Sequence, residues 1–275
     1  MKVLITGAAS GLGRAAAALF SQNGDTVYAL DLSPISPQER LIPFRADITE
    51  AGSLQAVFTQ LETDGVQLDA IINFAGMIFI DNYMEVEEEK LQRIFNVNLL
   101  GAMRVNKIFF PLLRENGKIV IITSEVAPLD PLPFNGIYST TKTALDCYAQ
   151  ALRQEAGLLG HRVITVRPGA FNTPLAGGSI PSMHAMAQRS RYFGGQGERF
   201  ETLMRKFTGK LQDPEKLAKT IFRAVHKRRP RNIYTVHSSL GLRLLSLLPK
   251  GMQVKVVRLL IGKHTDAVKP LRGQS

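Results

Sequence analysis

Short apolar runs alternate with amphipathic stretches through the first two thirds of the chain, and this alternation constrains the fold most. The runs KVLIT, TVYAL, LDAIIN, KIVIIT and RVITV are too short for ordinary helices and are rich in β-branched residues. Helical periodicity fills the intervals between them. Strands that are apolar on both faces and alternate with helices form parallel βαβ units, with helices covering both faces of the sheet. We therefore predict an α/β fold with a doubly wound, Rossmann-like parallel sheet.

The pattern assigns the chain to one domain followed by an extension. We predict one domain over residues 1–237 and a basic amphipathic extension over 238–275. The helices are expected at residues 15–23, 51–63, 86–115, 138–159 and 213–223, with a break near Asn98 and Gly101. A length of 275 residues suffices for one such domain with a substantial core.

Charge and cysteine content restrict the class of protein further. Residues 204–275 carry 17 Lys and Arg but three acids, whereas the rest of the chain is nearly neutral. Because Tyr234 is the only Tyr, Phe or Trp after Phe222, this basic region lacks the aromatic interleaving of a nucleic-acid interface, and we predict no nucleic-acid partner. Cys147, the single cysteine, can form neither an internal disulfide nor a cysteine metal site, and no metal is predicted.

The expected location is cytoplasmic, with peripheral membrane association left open. A lone cysteine is typical of a reducing compartment. The opening MKVLITGAAS holds an apolar stretch too short for a signal peptide, and no run of 18 apolar residues predicts a spanning helix.

A glycine-rich turn follows the first predicted strand and opens the first helix. In TGAASGLG, over residues 6–13, glycines stand where a side chain would hold a phosphate away from the backbone. The helix start then offers N–H groups to a pyrophosphate. An ordinary strand–helix turn is the alternative, and the position at the start of a repeated βα pattern favours binding.

Asp31 ends the second predicted strand, 18 positions after Gly13. A carboxylate there can accept hydrogen bonds from ribose hydroxyls and repel a 2′-phosphate, so NAD is preferred to NADP. No Lys or Arg follows before Arg40, and Arg14 is expected on the helix surface.

Tyr138 and Lys142 stand four positions apart on a predicted helix and so share one of its faces. We expect the ammonium, together with an oxidised nicotinamide, to lower the tyrosine pKa and make the phenol an acid–base group. Such a pair is common by chance, so its weight depends on the other motifs.

Taken in order, these motifs resemble the short-chain dehydrogenase/reductase family. The matching pieces are TGAASGLG (6–13), Asp47 in RADIT, NFAG (73–76), NVN ending at Asn98, ITS ending at Ser124, YSTTK (138–142) and PGAFNT (168–173). The resemblance covers the chain to about Thr173 and weakens after it. It implies an oxidoreductase that transfers a hydride between NAD(H) and an alcohol or ketone.

The resemblance also implies a role for each matching residue. Tyr138 is implied as the acid/base, Lys142 as the group that holds the nicotinamide ribose, and Ser124 as the hydrogen-bond donor to the substrate oxygen. Asn98 is implied to anchor a water that links Lys142 to solvent. The residues implied to bind or support the cofactor are Gly7, Ser10, Gly11, Leu12, Gly13, Asp31, Asp47, Ile48, Asn73, Ala75, Gly76, Tyr138, Lys142, Pro168, Gly169, Phe171 and Thr173. A homodimer or homotetramer built on helices 98–115 and 138–159 is implied as well.

Two positions depart from the family pattern. Phe74 replaces the second asparagine of the usual NNAG. Ser124 and Tyr138 are 14 positions apart, one more than is usual, so Glu125 is an alternative for the serine position. We assign the serine role to Ser124, because it ends the strand GKIVIITS, and place the extra residue in the loop PLDPLPFNG.

The last hundred residues bear on the substrate. The resemblance implies that residues 1–237 form a dinucleotide-binding catalytic domain and that residues at about 175–211 form a substrate lid. This lid segment contains three methionines, which suit an apolar ligand, although an exposed insertion is the alternative. The leucine-rich, basic ending resembles hydroxysteroid and retinol dehydrogenases, so a steroid, retinoid or other lipophilic alcohol is the favoured substrate. The ending could lie on a membrane, cover the substrate or pack at a subunit interface. A polyol, sugar or 3-oxoacyl substrate, and a non-catalytic dinucleotide sensor, are the competing hypotheses.

Overall fold

The computed structural model describes residues 1–207 and 211–262, and a seven-stranded parallel sheet forms its centre. The strands are β1 (Lys2–Thr6), β2 (Thr26–Asp31), β3 (Leu41–Arg45), β4 (Leu68–Asn73), β5 (Leu113–Ile122), β6 (Arg162–Pro168) and β7 (Ile233–Val236). Their order across the sheet is β3-β2-β1-β4-β5-β6-β7, and all neighbouring pairs are parallel. The predicted doubly wound α/β fold is therefore confirmed.

Helices cover both faces of the sheet. They are α1 (Gly11–Gln22), α2 (Ala51–Thr63), α3 (Glu88–Phe95), α4 (Ala102–Phe109), α5 (Gly136–Leu158), α6 (Pro174–Arg189), α7 (Gly194–Phe207), α8 (Pro214–His226), α9 (Leu240–Ser246) and α10 (Lys250–Ile261). Apolar side chains of α2, α4 and α5 pack on one face of the sheet, and those of α1 and α8 pack on the other. This double covering explains why every residue of β4 is buried.

The direction in which the sheet is wound reverses between β1 and β4. In open parallel sheets, the crevice for a ligand lies beyond the carboxyl ends of the strands at such a point. The glycine turn after β1, the loop after β4 and the loop after β5 all begin at this edge. The topology therefore brings the sequence motifs to one place.

The predicted helix over residues 86–115 is wrong only at its end, after Phe109. The break near Asn98 and Gly101 is confirmed as a π-helical turn (Asn96–Gly101), and α4 then ends at Phe109. A short 3₁₀ turn containing Pro111 follows, and β5 begins at Leu113. Proline lacks the N–H that a continuing helix needs, and Leu113 pairs with Leu68 of β4, so tertiary pairing outweighs the local helical pattern.

The lid segment consists of two helices, α6 and α7, rather than a long loop. The Thr173 hydroxyl caps α6 by accepting the N–H of Ala176 at 3.2 Å. Met183 and Met186 of α6 pack with Phe200 of α7 and Ile261 of α10. The lid and the C-terminal helices therefore share one apolar cluster.

The part of the chain that the structure describes contains no helix with the length and apolar character needed to cross a bilayer. Of the expected extension over 238–275, residues 263–275 lie outside the described residues.

Candidate active site

The turn between β1 and α1 brings backbone very close to backbone. Gly7 has φ 69°, and a Cβ there would lie 2.7 Å from the Ala75 nitrogen. A Cβ on Gly13 would lie 2.1 Å from the Gly7 carbonyl oxygen. Ser10 precedes α1 without capping it through its side chain, so the first N–H groups of the helix stay available to an anion. The turn fits a pyrophosphate in shape and polarity.

Asp31 lies beside this turn with its carboxylate held in a fixed orientation. One carboxylate oxygen accepts the N–H of Ala9 and the other accepts the N–H of Ser33, both at 2.9 Å. As expected, Arg14 lies on the exposed surface of α1. The sequence reasoning missed Arg45, which is paired in register with Asp31 across β2 and β3 and donates to the Leu32 carbonyl oxygen at 3.2 Å.

Asp47 and Ile48 follow β3 and line the same cavity. The Asp47 carboxylate accepts the N–H and the hydroxyl of Thr49 at 2.8 and 2.7 Å. Ile48 packs tightly against Gly101, because a Cβ added to Gly101 would lie 2.5 Å from the Ile48 Cδ1. The π-helical turn is thus fitted to this side of the cavity.

Ser124 and Tyr138 line the same cavity, and the Ser124 hydroxyl lies close enough to Tyr138 to act on the pKa of its phenol. Ser124 lies two residues after the end of β5 and Tyr138 lies in the first turn of α5; both are buried. Glu125 also lines the cavity, but its carboxylate accepts the N–H of Ser239. The geometry therefore favours Ser124 over Glu125 for the serine position, and the extra residue is absorbed in the loop before α5.

Lys142 lies one turn along α5, with its Nζ 5.9 Å from the centre of the Tyr138 ring. The Nζ also donates to the Ile122 carbonyl oxygen at 3.3 Å. Burial lowers the pKa of Lys142 to about 8, because the charged ammonium loses hydration.

We expected Lys142 to lower the pKa of Tyr138, but in the protein without cofactor the pKa of Tyr138 is raised. Burial raises the pKa of Tyr138 to about 12, and the negative charge of Glu125 adds to this increase. The Ser124 hydroxyl acts in the opposite direction but is outweighed. Loss of hydration therefore has a larger effect than the nearby ammonium.

Asn98 and Asn73 lie behind the cavity wall. Within the π-helical turn, the Asn98 side chain accepts the N–H of Met77 at 2.7 Å and donates to the Met77 carbonyl oxygen at 2.9 Å and the Thr141 hydroxyl at 3.0 Å. The Asn73 side chain donates to Asn106 and to the Val120 carbonyl oxygen. Both asparagines fix loops that face the cavity without lining it themselves.

The loop after β6 closes the cofactor side of the cavity. This loop and the end of β6 supply four of the predicted residues, namely Pro168, Gly169, Phe171 and Thr173. A Cβ on Gly169 would lie 1.8 Å from the His237 carbonyl oxygen, so only glycine allows this approach to the end of β7. Ala75, Gly76 and the other predicted cofactor residues, except Asn73, line the same cavity.

The whole cavity has a volume of about 1390 Å³ and extends well beyond the glycine turn. Its far wall is mostly apolar and comes from the β5–α5 loop, the lid and the C-terminal helices. Glu125, Asp130 and Asn135 of the loop are among its polar members. The residues of α9, α10 and their connection that line it are Gly241, Leu242, Leu244, Leu245, Leu247, Leu248, Val256 and Leu260. The C-terminal extension therefore forms part of the candidate site.

Comparison with known proteins agrees with this site. The family model for short chain dehydrogenase matches residues 1–183, which is two thirds of the chain. The chain belongs to the short-chain dehydrogenase family.

Several curated proteins are similar to the chain. The 3-ketodihydrosphingosine reductase of Bacteroides thetaiotaomicron is 31% identical over 62% of this chain and 64% of that protein. Estradiol 17-beta-dehydrogenase 2 of Rattus norvegicus is 31% identical over 64% of this chain and 49% of that protein. The alignments thus span between half and two thirds of these relatives. Retinol dehydrogenase 5 of Homo sapiens is 27% identical over 97% of this chain and 90% of that protein.

Solved structures show the same fold. A short-chain dehydrogenase from Streptomyces avermitilis superposes with a TM-score of 0.74 at 24% identity, covering 94% of each chain.

Proposed function

We propose that the protein is an NAD-dependent oxidoreductase that moves a hydride between nicotinamide and the reacting carbon of a lipophilic secondary alcohol or ketone. The buried hydroxyl groups of Ser124 and Tyr138 in one cavity, with the Lys142 ammonium beside them, support this most directly. Two hydroxyl groups facing one cavity can bind a single substrate oxygen and exchange a proton with it.

Each part of the site has a role in this proposal. NAD(H) supplies the two-electron hydride chemistry when bound. The glycine turn holds the pyrophosphate, Asp31 accepts ribose hydroxyls, and Lys142 holds the nicotinamide ribose. Tyr138 takes the hydroxyl proton of an alcohol, or returns a proton to the oxygen of a ketone. Ser124 donates a hydrogen bond to the same oxygen and stabilises its developing charge.

The lipophilic substrate is inferred from the far wall of the cavity. Leu242, Leu245 and Leu248 of the α9 region face it, together with the lid residues Ile180 and Leu203. A polar sugar or polyol would leave its hydroxyl groups without partners on such a wall. The relatives' names point to similar chemistry, since a ketosphingoid base, estradiol and retinol are all largely apolar alcohols or ketones.

The preference for NAD rests on Asp31. Both of its carboxylate oxygens accept backbone N–H groups, which fixes a negative charge beside the glycine turn, and such a charge would repel a 2′-phosphate. The positive charge of Arg45 would favour a 2′-phosphate and so oppose this preference, but Arg45 is bonded to the Leu32 carbonyl oxygen.

A panel of steroids, retinoids, long-chain ketones and polyols, each with NAD(H) and NADP(H), tests the proposal by NADH or NADPH absorbance. We expect turnover of apolar alcohols or ketones with NAD(H). Tyr138→Phe should still bind NADH, measured by fluorescence, yet turn over nothing. Tyr83→Phe is the matched control, because its hydroxyl lies outside the cavity and bonds Thr140. Full turnover by Tyr138→Phe would contradict the assigned role, and activity on polyols alone would contradict the substrate class.

We also propose a homodimer or homotetramer built on α4 and α5. Leu158 and Leu159 at the end of α5 are 89% and 65% exposed, which suits contact with a second copy. Light scattering tests this assembly, and a monomer at micromolar concentration would contradict it.

A further inference from the structure

The outer surface of the last two described helices carries an unusual concentration of exposed apolar side chains. Its members are Leu240, Leu244, Leu247, Met252, Val254, Leu259 and Leu260, each between 45% and 85% exposed. We name these residues the C-terminal face. Scattered exposed leucines are ordinary on a protein surface, but a contiguous group marks a binding surface.

Positive charge predominates around this face, although Asp130 pairs with Lys250. Arg243, Lys250, Lys255 and Arg258 lie among the apolar residues and are exposed, and residues 238–262 contain no Asp or Glu. Along α10, Met252, Lys255 and Leu259 follow the spacing of one helical stripe, so an apolar and a cationic surface coincide. Such a surface is complementary to an anionic one that also accepts apolar side chains.

The C-terminal face is continuous with the cavity. Leu244, Leu247 and Leu260 line the cavity and are nevertheless 56%, 81% and 52% exposed, so they form part of its mouth. The inner side of the same helices, including Leu242, Leu245 and Val256, continues the apolar wall inward. An apolar path therefore leads from the molecular surface to the interior of the site.

We propose that the C-terminal face docks on an anionic phospholipid surface, with the mouth of the cavity turned toward the bilayer. Exposed leucines enter the boundary between headgroups and acyl chains, while neighbouring lysines and arginines bind lipid phosphates. A second copy of the chain is a poor occupant, because a symmetric contact would set the same cations against each other. A lipophilic molecule could then reach the site without crossing water, a consequence that rests on the proposed function, whereas the docking itself does not.

Vesicle co-sedimentation of the full chain tests the docking without any enzymatic readout. The probes are vesicles of phosphatidylcholine alone and vesicles of phosphatidylcholine mixed with phosphatidylglycerol. We expect binding to the mixed vesicles, weaker binding to the neutral ones, and loss of binding as salt is raised.

Matched variants separate the contribution of the cationic side chains from that of the apolar side chains. Lys255→Glu/Arg258→Glu should weaken binding to the mixed vesicles by at least about tenfold, whereas Arg228→Glu/Arg229→Glu changes the same charges on another exposed surface and should have a much smaller effect. Leu259→Ser should weaken binding, whereas Met84→Ser, at a side chain 75% exposed elsewhere, should not.

Three results would overturn the proposal. One is a wild-type chain that stays in the supernatant with both kinds of vesicle. Another is an equal loss of binding in the variants and their controls. The third is a change of molar mass in Leu259→Ser with vesicle binding intact, because the face would then be an interface between copies.

Discussion

The carboxylate of Glu125 accepts the backbone N–H of Ser239, a residue 114 positions later in the chain. Ser239 caps α9 by accepting the N–H of Leu242 with its hydroxyl at 3.3 Å. Asp130, in the same loop as Glu125, accepts the Gln253 amide at 2.7 Å and donates its own N–H to the Ser246 hydroxyl at 3.0 Å. The loop that follows Ser124 therefore fixes both ends of α9 over the cavity.

Removing the acceptor at Glu125 should loosen α9. In Glu125→Ala the half-buried Ser239 N–H loses its partner, which costs about 1 kcal/mol of unfolding free energy. We expect a higher KM for an apolar substrate in this variant, since α9 supplies part of the wall. Urea unfolding and steady-state kinetics measure the two effects. Glu125→Gln retains a carbonyl acceptor and should lie close to wild type in KM; equal defects in both variants would refute the role of the hydrogen bond.

The negative charge of Glu125 should lower the stability of the fold, whereas the hydrogen bond of Glu125 to Ser239 raises it. Burial raises the pKa of its carboxyl group in the folded chain, so the folded state holds this proton more tightly than the unfolded state. The contribution of Glu125 to stability is therefore greatest below its unfolded pKa and is lost as pH rises through the folded pKa. Glu125→Gln should flatten the dependence of the melting temperature on pH between acid and neutral pH. A variant profile parallel to that of wild type would contradict the assignment.

Substitution of Asp31 should change the cofactor preference. Asp31→Asn keeps the size of the side chain but removes the charge that repels a 2′-phosphate. We expect the ratio of kcat/KM for NADP to that for NAD to rise by at least tenfold, which corresponds to about 1.4 kcal/mol. Asp47→Asn is a suitable control, since this carboxylate also lines the cavity but is bonded to Thr49. An unchanged ratio in Asp31→Asn would assign the preference to other residues.

Much of the candidate site could be predicted because its residues follow strands directly. Asp31 ends β2, Ser124 follows β5, and the turn at Gly7 follows β1. Parallel strands end at one edge, so short apolar runs in the sequence were enough to bring these residues together. Lys142 is placed relative to Tyr138 by helical spacing alone.

The rest depends on contacts that local patterns do not contain. The Glu125–Ser239 hydrogen bond joins segments that are distant in the sequence. The leucines that face the cavity have the same spacing as the leucines of any amphipathic helix, so the sequence does not distinguish them. Arg45 comes beside Asp31 through the register of two strands, which no spacing along the chain reveals. The direction of the Tyr138 pKa was missed because burial outweighs the visible charge of Lys142.

Two glycines with opposite surroundings give a final prediction. A Cβ on Gly13 would lie 2.1 Å from the Gly7 carbonyl oxygen, so Gly13→Ala must displace backbone in the turn proposed to hold the pyrophosphate. Gly178 lies within α6, and a Cβ there would meet no atom within 4 Å, so Gly178→Ala should stabilise the helix by up to about 1 kcal/mol. We expect Gly13→Ala to lower the melting temperature and to weaken NADH binding, measured by fluorescence titration. Gly178→Ala should raise the melting temperature and leave NADH binding unchanged. If Gly13→Ala bound NADH as tightly as wild type, the close approach at this turn would not be what shapes the cofactor site.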